Sequence, residues 1–248
     1  MKTKTRFAWK QFLKNLAIIA IPVALQNMLT TTGSMIDTMM IAPLGETTVG
    51  AVGLCAQFSS LMFAGYWGFF GGGMLFFSQY WGAQDDDGID HSYGLTLTCM
   101  MIVGLTFGAF AIFAPETVMK LYTDKENIQV IGAEYLRIIG FGYPVQVFSM
   151  AMSALLRSTE RVRIPLFASI ASVASNIFLN WVFIYGKFGL PEMGVRGAAL
   201  ATSLAAVINV LVILILARAQ KYPEKHRKCS TAQIQLKILR FVGFGYIA

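Results

Sequence analysis

A single carboxylate stands inside an otherwise uncharged and apolar stretch near the start of the chain. Asp37 is the only acidic residue well inside a stretch that is apolar enough to cross a membrane. A charge in the middle of a bilayer costs about 2.5–3.5 kcal/mol, so acids in that position usually face a cavity and handle ions or protons. We therefore predict an ion- or proton-handling role for Asp37. The alternative is an acid near the outer membrane interface whose side chain reaches water.

The polar residues that precede Asp37 share its helix face. Gln26, Thr30, Ser34 and Asp37 follow one another at intervals of three or four positions. This spacing places all four on one side of an α-helix. A polar stripe on a membrane helix favours a wet cavity, and we predict that these side chains line it.

A second polar stripe lies in a later apolar stretch, where Ser169, Ser172, Asn176 and Asn180 recur at the same intervals. Asparagine in lipid is costly unless it is hydrogen-bonded, and its carbonyl oxygen can face a cation or an acid. Thr202, among small residues of the next stretch, offers a hydroxyl. The alternative for all of these groups is interhelical hydrogen bonding or close packing.

The composition requires that these stripes belong to a membrane protein. The chain has 248 residues, of which 56% are hydrophobic and only 13% are charged. Soluble domains carry about 25% charged residues. Helices of about 20 residues cross the hydrocarbon core, and the charged residues leave six windows of that kind. We predict an all-α, polytopic protein with six transmembrane helices inside residues 14–46, 46–85, 91–115, 138–156, 164–186 and 197–217.

The distribution of positive charge predicts the orientation of these helices. Fifteen of the 20 Lys and Arg residues fall on the side of the two termini and five on the other, and the richer side is normally cytoplasmic. We therefore expect a multi-pass inner-membrane protein with both termini in the cytoplasm. The predicted parts are a cytoplasmic segment 1–14, a six-helix lobe 15–217, a connector 218–240 and, at 241–248, the truncated start of a seventh helix.

Several functional classes find no support in the sequence. The excess of basic residues is explained by topology, so we expect no nucleic-acid partner. His91 and His226 lie in cytoplasmic segments without neighbouring metal ligands, and no phosphate-binding loop or intramembrane catalytic group is visible. We expect neither an enzyme nor a cofactor, and the partners that remain are the lipid bilayer and a small amphiphilic or cationic substrate.

Five segments together resemble the multidrug and toxic compound extrusion (MATE) family. They are residues 35–41 (MIDTMMI), 79–83 (QYWGA), 155–159 (LLRST), 175–180 (SNIFLN) and 194–202 (GVRGAALAT). Each is weak alone, but their order and spacing make the resemblance specific. It implies one half of a twelve-helix secondary transporter that exports organic cations or other amphiphiles by antiport with Na⁺ or H⁺. The C-terminal six-helix lobe would be the missing partner.

The resemblance also implies roles for individual residues. Asp37 would be the acid that binds the coupling ion, with Asn176, Asn180 and Thr202 as further ligands, and no metal beyond Na⁺ is implied. The position of Asn180 is an acid in some members of the family, which leaves the choice between Na⁺ and H⁺ open. Substrate would contact the cavity residues Gln26, Thr30, Ser34 and Ser172. Aromatic residues of the second helix, such as Trp67, are available to line the path, and the alternative is that they face lipid or pack in the core.

Two other functions stay open at this point. One is a lipid-linked saccharide flippase of the same superfamily, for which several cationic residues inside the cavity are expected. The other is a truncated or assembly-only membrane fragment that transports nothing. An intramembrane enzyme would need a second acid, a Ser–His pair or a metal site within the bilayer, and the sequence shows none of these.

The charge asymmetry leads to a test of the topology. Reporter domains fused after Ala42, Gly82, Glu126 and Gln220 are expected to read outside, inside, outside and inside, because they follow one, two, three and six membrane crossings. Paired periplasmic and cytoplasmic reporters in a bacterial host measure this. A periplasmic signal at Gln220 would contradict the six-span topology.

Overall fold

A computed structural model describes residues 9–219, and all of its regular elements in that range are helices. They are α1 (Trp9–Ile41), a short 3₁₀ turn (Ala42–Leu44), α2 (Glu46–Ala83), α3 (Asp86–Phe113), α4 (Pro115–Tyr122), α5 (Glu126–Ser158), α6 (Arg163–Ile184) and α7 (Val195–Ala219). Within this range, six helices are long and apolar enough to cross a membrane. The prediction of an all-α protein with six spans is therefore confirmed.

The helix boundaries follow from local chemistry. Helix α1 ends just before Ala42-Pro43, since a proline disfavours the helical conformation of the residue before it. Gly45 adopts a positive φ of 105° and lets the chain turn directly into α2. The side chain of Asp85 accepts a hydrogen bond from the amide of Gly88 at 3.0 Å and thereby caps α3. Short connections of this kind hold successive helices side by side.

The second span is one unbroken helix, as predicted. Helix α2 contains 38 residues, which corresponds to about 57 Å at 1.5 Å per residue. This length exceeds the hydrocarbon thickness of about 30 Å, so α2 tilts or projects from the membrane.

The sequence windows missed two features between α3 and α5. The eight-residue helix α4 was not predicted, and α5 begins at Glu126, well before the predicted window at 138. The windows were cut at charged residues, but a helix continues past them where they find partners in water. Arg137 pairs with Glu116 of α4, and Glu134 of α5 pairs with Arg196 of α7 at 2.7 Å.

The predicted domain boundaries are only partly within the described range. Helix α1 begins at Trp9, inside the predicted N-terminal segment, and α7 extends to Ala219, two residues beyond the predicted lobe. The rest of the connector and the predicted start of a seventh helix lie outside the described residues.

The helices form a bundle with α1 at one edge. Helices α2, α3 and α5 pack on one another, α5 also packs on α7, and α7 packs on α6. Helix α1 lies mainly against α6 and has little contact with α2 or α7. The core contains aromatic and aliphatic side chains such as Phe77, Tyr143 and Leu136. Large apolar side chains such as Leu75, Leu95 and Phe141 are exposed on the outside of the bundle, as expected for a surface that faces lipid.

The close contact of α6 and α7 depends on Gly197. A Cβ at this position would lie 2.7 Å from the carbonyl carbon and oxygen of Phe183 on α6. Small residues of this kind let membrane helices approach closely, as the run of small residues in the sixth span predicted. The contact brings Asn176 on α6 next to Thr202 on α7.

Replacement of Gly197 by alanine is expected to separate α6 from α7, because the added methyl group meets backbone atoms that cannot rotate away. We expect Gly197→Ala to lower the free energy of unfolding by about 1–3 kcal/mol, the usual cost of overpacking. Thermal unfolding of the detergent-solubilised chain measures this. The matched control is Gly68→Ala, since no atom lies within 4 Å of a Cβ at Gly68. Equal midpoints for the two variants would contradict this account of the packing.

Candidate functional site: a polar cavity between four helices

The polar stripes of the sequence meet in one cavity. It has a volume of about 540 Å³ and is lined by residues of α1, α5, α6 and α7. Helices α1 and α6 contribute Asp37 and Asn176, and α7 contributes Thr202. The residues predicted to contact substrate also line it, namely Gln26, Thr30, Ser34 and Ser172. Of the predicted site residues, Asn180 alone is outside the lining, and it contacts the cavity through Asp37.

The central contact of the site joins α1 to α6. The side-chain amide nitrogen of Asn180 donates a hydrogen bond to the Oδ1 atom of Asp37 at 2.5 Å. Asn180 is completely buried, and Asp37 is half-buried at the cavity surface. A hydrogen bond to an ionised group contributes about 1.5–3 kcal/mol, roughly twice a neutral one. This bond offsets part of the cost of holding a carboxylate in the membrane.

The hydrogen bonds continue from Asn180 to a third helix. The amide nitrogen of Asn180 also lies 3.3 Å from Oδ1 of Asn176, whose own amide nitrogen lies 3.5 Å from the hydroxyl of Thr202. The hydroxyl of Thr202 in turn donates to the carbonyl of Ala198 at 3.0 Å. Four predicted site residues on three helices are thus connected through their polar groups.

One oxygen in this hydrogen-bonded network has no protein partner within the described residues. The Oδ1 atom of Asn180 is buried and makes no hydrogen bond within the described part of the chain. A buried acceptor without a partner loses its hydration with no compensation. It lies next to a carboxylate, so a cation or a donated proton at this place would complete the hydrogen bonding of the site.

A close approach of α1 to α6 makes the central contact possible. A Cβ at Gly33 would lie only 2.9 Å from a methyl group of Val173 on α6. Gly33 lies one helical turn before Asp37 and shares its face. The absence of a side chain at Gly33 therefore lets Asp37 reach Asn180.

The predicted substrate residues differ in how free their polar groups are. Gln26 is buried, and its amide nitrogen donates to the hydroxyl of Ser169 at 2.8 Å. The hydroxyl of Ser172 donates to the carbonyl of Ala205 on α7 at 2.9 Å, so it holds helices together as well as lining the cavity. Thr30 donates to carbonyls of its own helix. Ser34 is exposed at the cavity surface.

With this geometry established, comparison with known proteins identifies the family. A family model described as MatE matches residues 22–182, well over half of the chain. The chain belongs to the MATE family. Members of this family are transporters and not enzymes, and the match includes α2 to α5 together with the Asp37 and Asn180 helices.

Curated relatives cover most of this MATE chain. It is 26% identical over 211 residues to the "Probable multidrug resistance protein YoeA" of Bacillus subtilis, with 85% of this chain and 46% of that protein aligned. It is 25% identical over 214 residues to the "Probable multidrug resistance protein NorM" of Neisseria meningitidis serogroup A, again with 85% and 46% aligned. The chain thus spans about half the length of the curated relatives it matches.

Solved structures show the same fold. A multidrug resistance MATE family transporter of the MOP superfamily in an outward-facing conformation superposes with a TM-score of 0.72 at 26% identity, covering 81% of this chain and 44% of that one. A MATE crystal structure in complex with MaD5 superposes with a TM-score of 0.74 at 26% identity, covering 92% and 52%. The described helices therefore correspond to one six-helix lobe of the twelve-helix transporters.

The sequence analysis overlooked a third polar stripe of this MATE lobe. Gln146, Ser149, Ser153 and Arg157 on α5 all line the cavity, and they recur at the same intervals of three and four positions that revealed the other stripes. The spacing was therefore a usable signal. Arg157 was counted among the cytoplasmic charges, and the structure instead places its side chain against the cavity.

Two further residues near the site were also missed. Asn209 lies two turns beyond Thr202 on α7, lines the cavity and accepts a hydrogen bond from Ser149 at 2.8 Å. Tyr135 on α5 is buried beside Thr202, within hydrogen-bonding range of its hydroxyl. Asn209 continues the helical spacing of Thr202, whereas nothing in the sequence alone linked Tyr135 to this face.

The aromatic residues of α2 do not line this cavity. None of the described residues that line the cavity is aromatic, and α2 does not contribute to it. Trp67 is half exposed on the outside of the bundle, where it stacks on Phe70 with ring centroids 5.2 Å apart. Helix α2 packs on α3 and α5, away from α1 and α6, so its aromatic residues lie outside the cavity.

Proposed function

We propose that this MATE lobe exports cationic or amphiphilic compounds by antiport with Na⁺ or H⁺, and that Asp37 binds the coupling ion. The observation that carries the proposal is the contact of Asp37 with Asn180 at the surface of a polar cavity. Two relatives named as probable multidrug resistance proteins support the same class of substrate. No cofactor is proposed beyond the coupling ion.

The donor set suits a small hard cation. The oxygens available are those of the Asp37 carboxylate, the side-chain carbonyls of Asn176 and Asn180, and the Thr202 hydroxyl. Hard cations prefer oxygen ligands of this kind. The same carboxylate can take up a proton instead, after which it becomes a hydrogen-bond donor to a neighbouring oxygen. The position that is an acid in some family members is the amide Asn180 here. The ion therefore meets one full negative charge in the site, that of Asp37.

Neutralisation of Asp37 would change the contact between α1 and α6. The bond from Asn180 is charge-assisted while Asp37 is ionised, and it weakens when a proton or Na⁺ removes the negative charge. This bond is one of the polar contacts that hold α1 against the bundle, together with those of Gln26 with Ser169 and Arg157. We infer that ion binding frees α1 to bend or rotate and release substrate outward, and that ion release restores the site for substrate from the cytoplasm.

The proposed setting is the inner membrane with both termini in the cytoplasm. Its support is the concentration of Lys and Arg on the side of the two termini. A second six-helix lobe is the proposed partner, because the relatives are about twice as long as the aligned region.

The flippase alternative is less well supported. A site for a lipid-linked saccharide was expected to contain several cationic residues, whereas Arg157 is the one cationic residue among the described residues that line the cavity. An assembly-only fragment is the outcome that a complete loss of transport would favour.

Removal of the charge of Asp37 is expected to abolish coupling. In a transporter formed by this chain with a second six-helix lobe, Asp37→Asn should insert normally and lose ion-driven dye efflux, because no other charge in the site attracts the ion. Asn180→Ala should raise the ion concentration for half-maximal efflux severalfold while changing dye binding less. Efflux from proteoliposomes under a Na⁺ gradient or a pH gradient, applied separately, measures both effects and identifies the ion.

The matched control is Glu46→Gln, which neutralises an exposed acid that does not line the cavity. This variant should behave like the wild type, and the chain expressed alone gives the baseline. Unchanged ion dependence in Asp37→Asn would contradict the proposal and favour an acid that merely reaches water at the outer interface.

A further inference from the structure

The cavity has a second charged end, which the proposed function does not use. Arg157, in the last turn of α5, lines the same cavity as Asp37. Its NH2 nitrogen donates to Oε1 of Gln26 on α1 at 2.9 Å. Gln26 and Asp37 are eleven positions apart on one helix, which corresponds to about 16 Å along its axis. The two charges therefore stand near opposite ends of the cavity.

Among residues 9–219, no acid forms an ion pair with Arg157. Its hydrogen-bond partner is the neutral amide of Gln26. Its Nε atom is buried and has no hydrogen-bond partner among residues 9–219. The ion pairs found in that range join Arg137 to Glu116 and Arg196 to Glu134, at the other end of α5. A partly buried guanidinium without an anion is energetically costly, since burial removes hydration that nothing replaces.

The hydrogen bond to Gln26 does not by itself require a charge on the donor. A link between α1 and α5 needs only one donor opposite Gln26, and a neutral side chain would supply it without a buried charge. The neighbouring cavity residues Asn27 and Ser153 are polar and neutral, so they neither repel nor replace an anion. The described part of the site therefore holds a cation without an anion to balance it.

We propose that Arg157 binds an anionic group of the transported compound. The group is of the carboxylate or phosphate type, because the planar guanidinium matches two oxygens of such a group through parallel hydrogen bonds. This inference rests on the proposed function and defines its substrate class. The cavity accepts elongated amphiphiles that carry a cationic group toward Asp37 and an anionic group toward Arg157.

A matched pair of dyes tests this inference. Rhodamine B carries a cationic ring system and a free carboxylate, and its ethyl ester differs by the loss of the negative charge. The cavity is lined within one lobe, so binding can be measured on the 248-residue chain in phosphatidylcholine nanodiscs by fluorescence anisotropy. We expect the wild type to bind rhodamine B at least about tenfold more tightly than the ester, since one charged hydrogen-bond pair contributes that much.

The variants separate an anion site from a structural link. Arg157→Gln should reduce the affinity for rhodamine B about tenfold and leave that for the ester unchanged, and Arg157→Lys should retain part of the preference. The matched control is Arg163→Gln, which removes an exposed charge at the start of α6 that does not line the cavity. It should not alter either affinity. Added phosphatidylglycerol would weaken rhodamine B binding only if lipid headgroups take the place of the substrate's anion.

Each other result overturns the inference in a recognisable way. Equal affinities of the wild type for the two dyes, or an equal loss of both in Arg157→Gln, would make Arg157 a structural link to Gln26. Competition by phosphatidylglycerol that disappears in Arg157→Gln would assign the site to lipid instead of substrate. In both cases ion-driven efflux that depends on Asp37 would leave the proposed function standing. If neither dye bound, the inference and the proposed location of the substrate site in this cavity would both be wrong.

Discussion

A carboxylate inside a bilayer must be either hydrated or hydrogen-bonded, and the contact of Asp37 with Asn180 meets this requirement here. The bond at 2.5 Å joins the edge helix α1 to the rest of the bundle. Two close helix approaches surround this contact. Gly33 allows α1 to approach Val173 closely enough, and Gly197 allows α7 to approach α6. The hydrogen bond that connects α1 to α6 is therefore also the interaction that an ion would alter.

The cost of an unpaired polar group in lipid also explains why the polar side chains form connected hydrogen-bonded networks. In lipid, each polar side chain must find a partner or face a wet cavity. Gln26 contacts Ser169 and Arg157, and Ser172 contacts the α7 backbone. At the cavity, Oδ1 of Asn180 and Nε of Arg157 are buried without protein partners in the described part of the chain. One lies beside an acid and the other belongs to a cation, and each marks a place where a ligand of the opposite charge would complete the structure.

The fold could be predicted from the sequence because the membrane limits it so strongly. Six apolar windows correspond to six spans, and the stripe of Asp37 meets that of Asn180 as the family resemblance implied. The extent of α5 could not be read from the windows, because ion pairs outside the membrane extend the helix. The absence of α2 aromatic residues from the described cavity lining could not be read from composition, because which helices are neighbours depends on packing. Arg157 was counted only as a cytoplasmic charge, because position along the chain does not show where a long side chain points. The stripe that ends at Arg157 was visible in the sequence, whereas the contact of Tyr135 with Thr202 was not.

The central claim is that the Asp37 carboxylate is the group that binds the coupling ion. Infrared difference spectroscopy of the 248-residue chain in nanodiscs tests it most directly, with Na⁺ steps at constant pH and with pH steps in the absence of Na⁺. The account predicts a change in the carboxylate stretching bands in one of the two series, and predicts that this change disappears in Asp37→Asn and persists in Glu46→Gln. An identical difference spectrum in Asp37→Asn and in the wild type would contradict it.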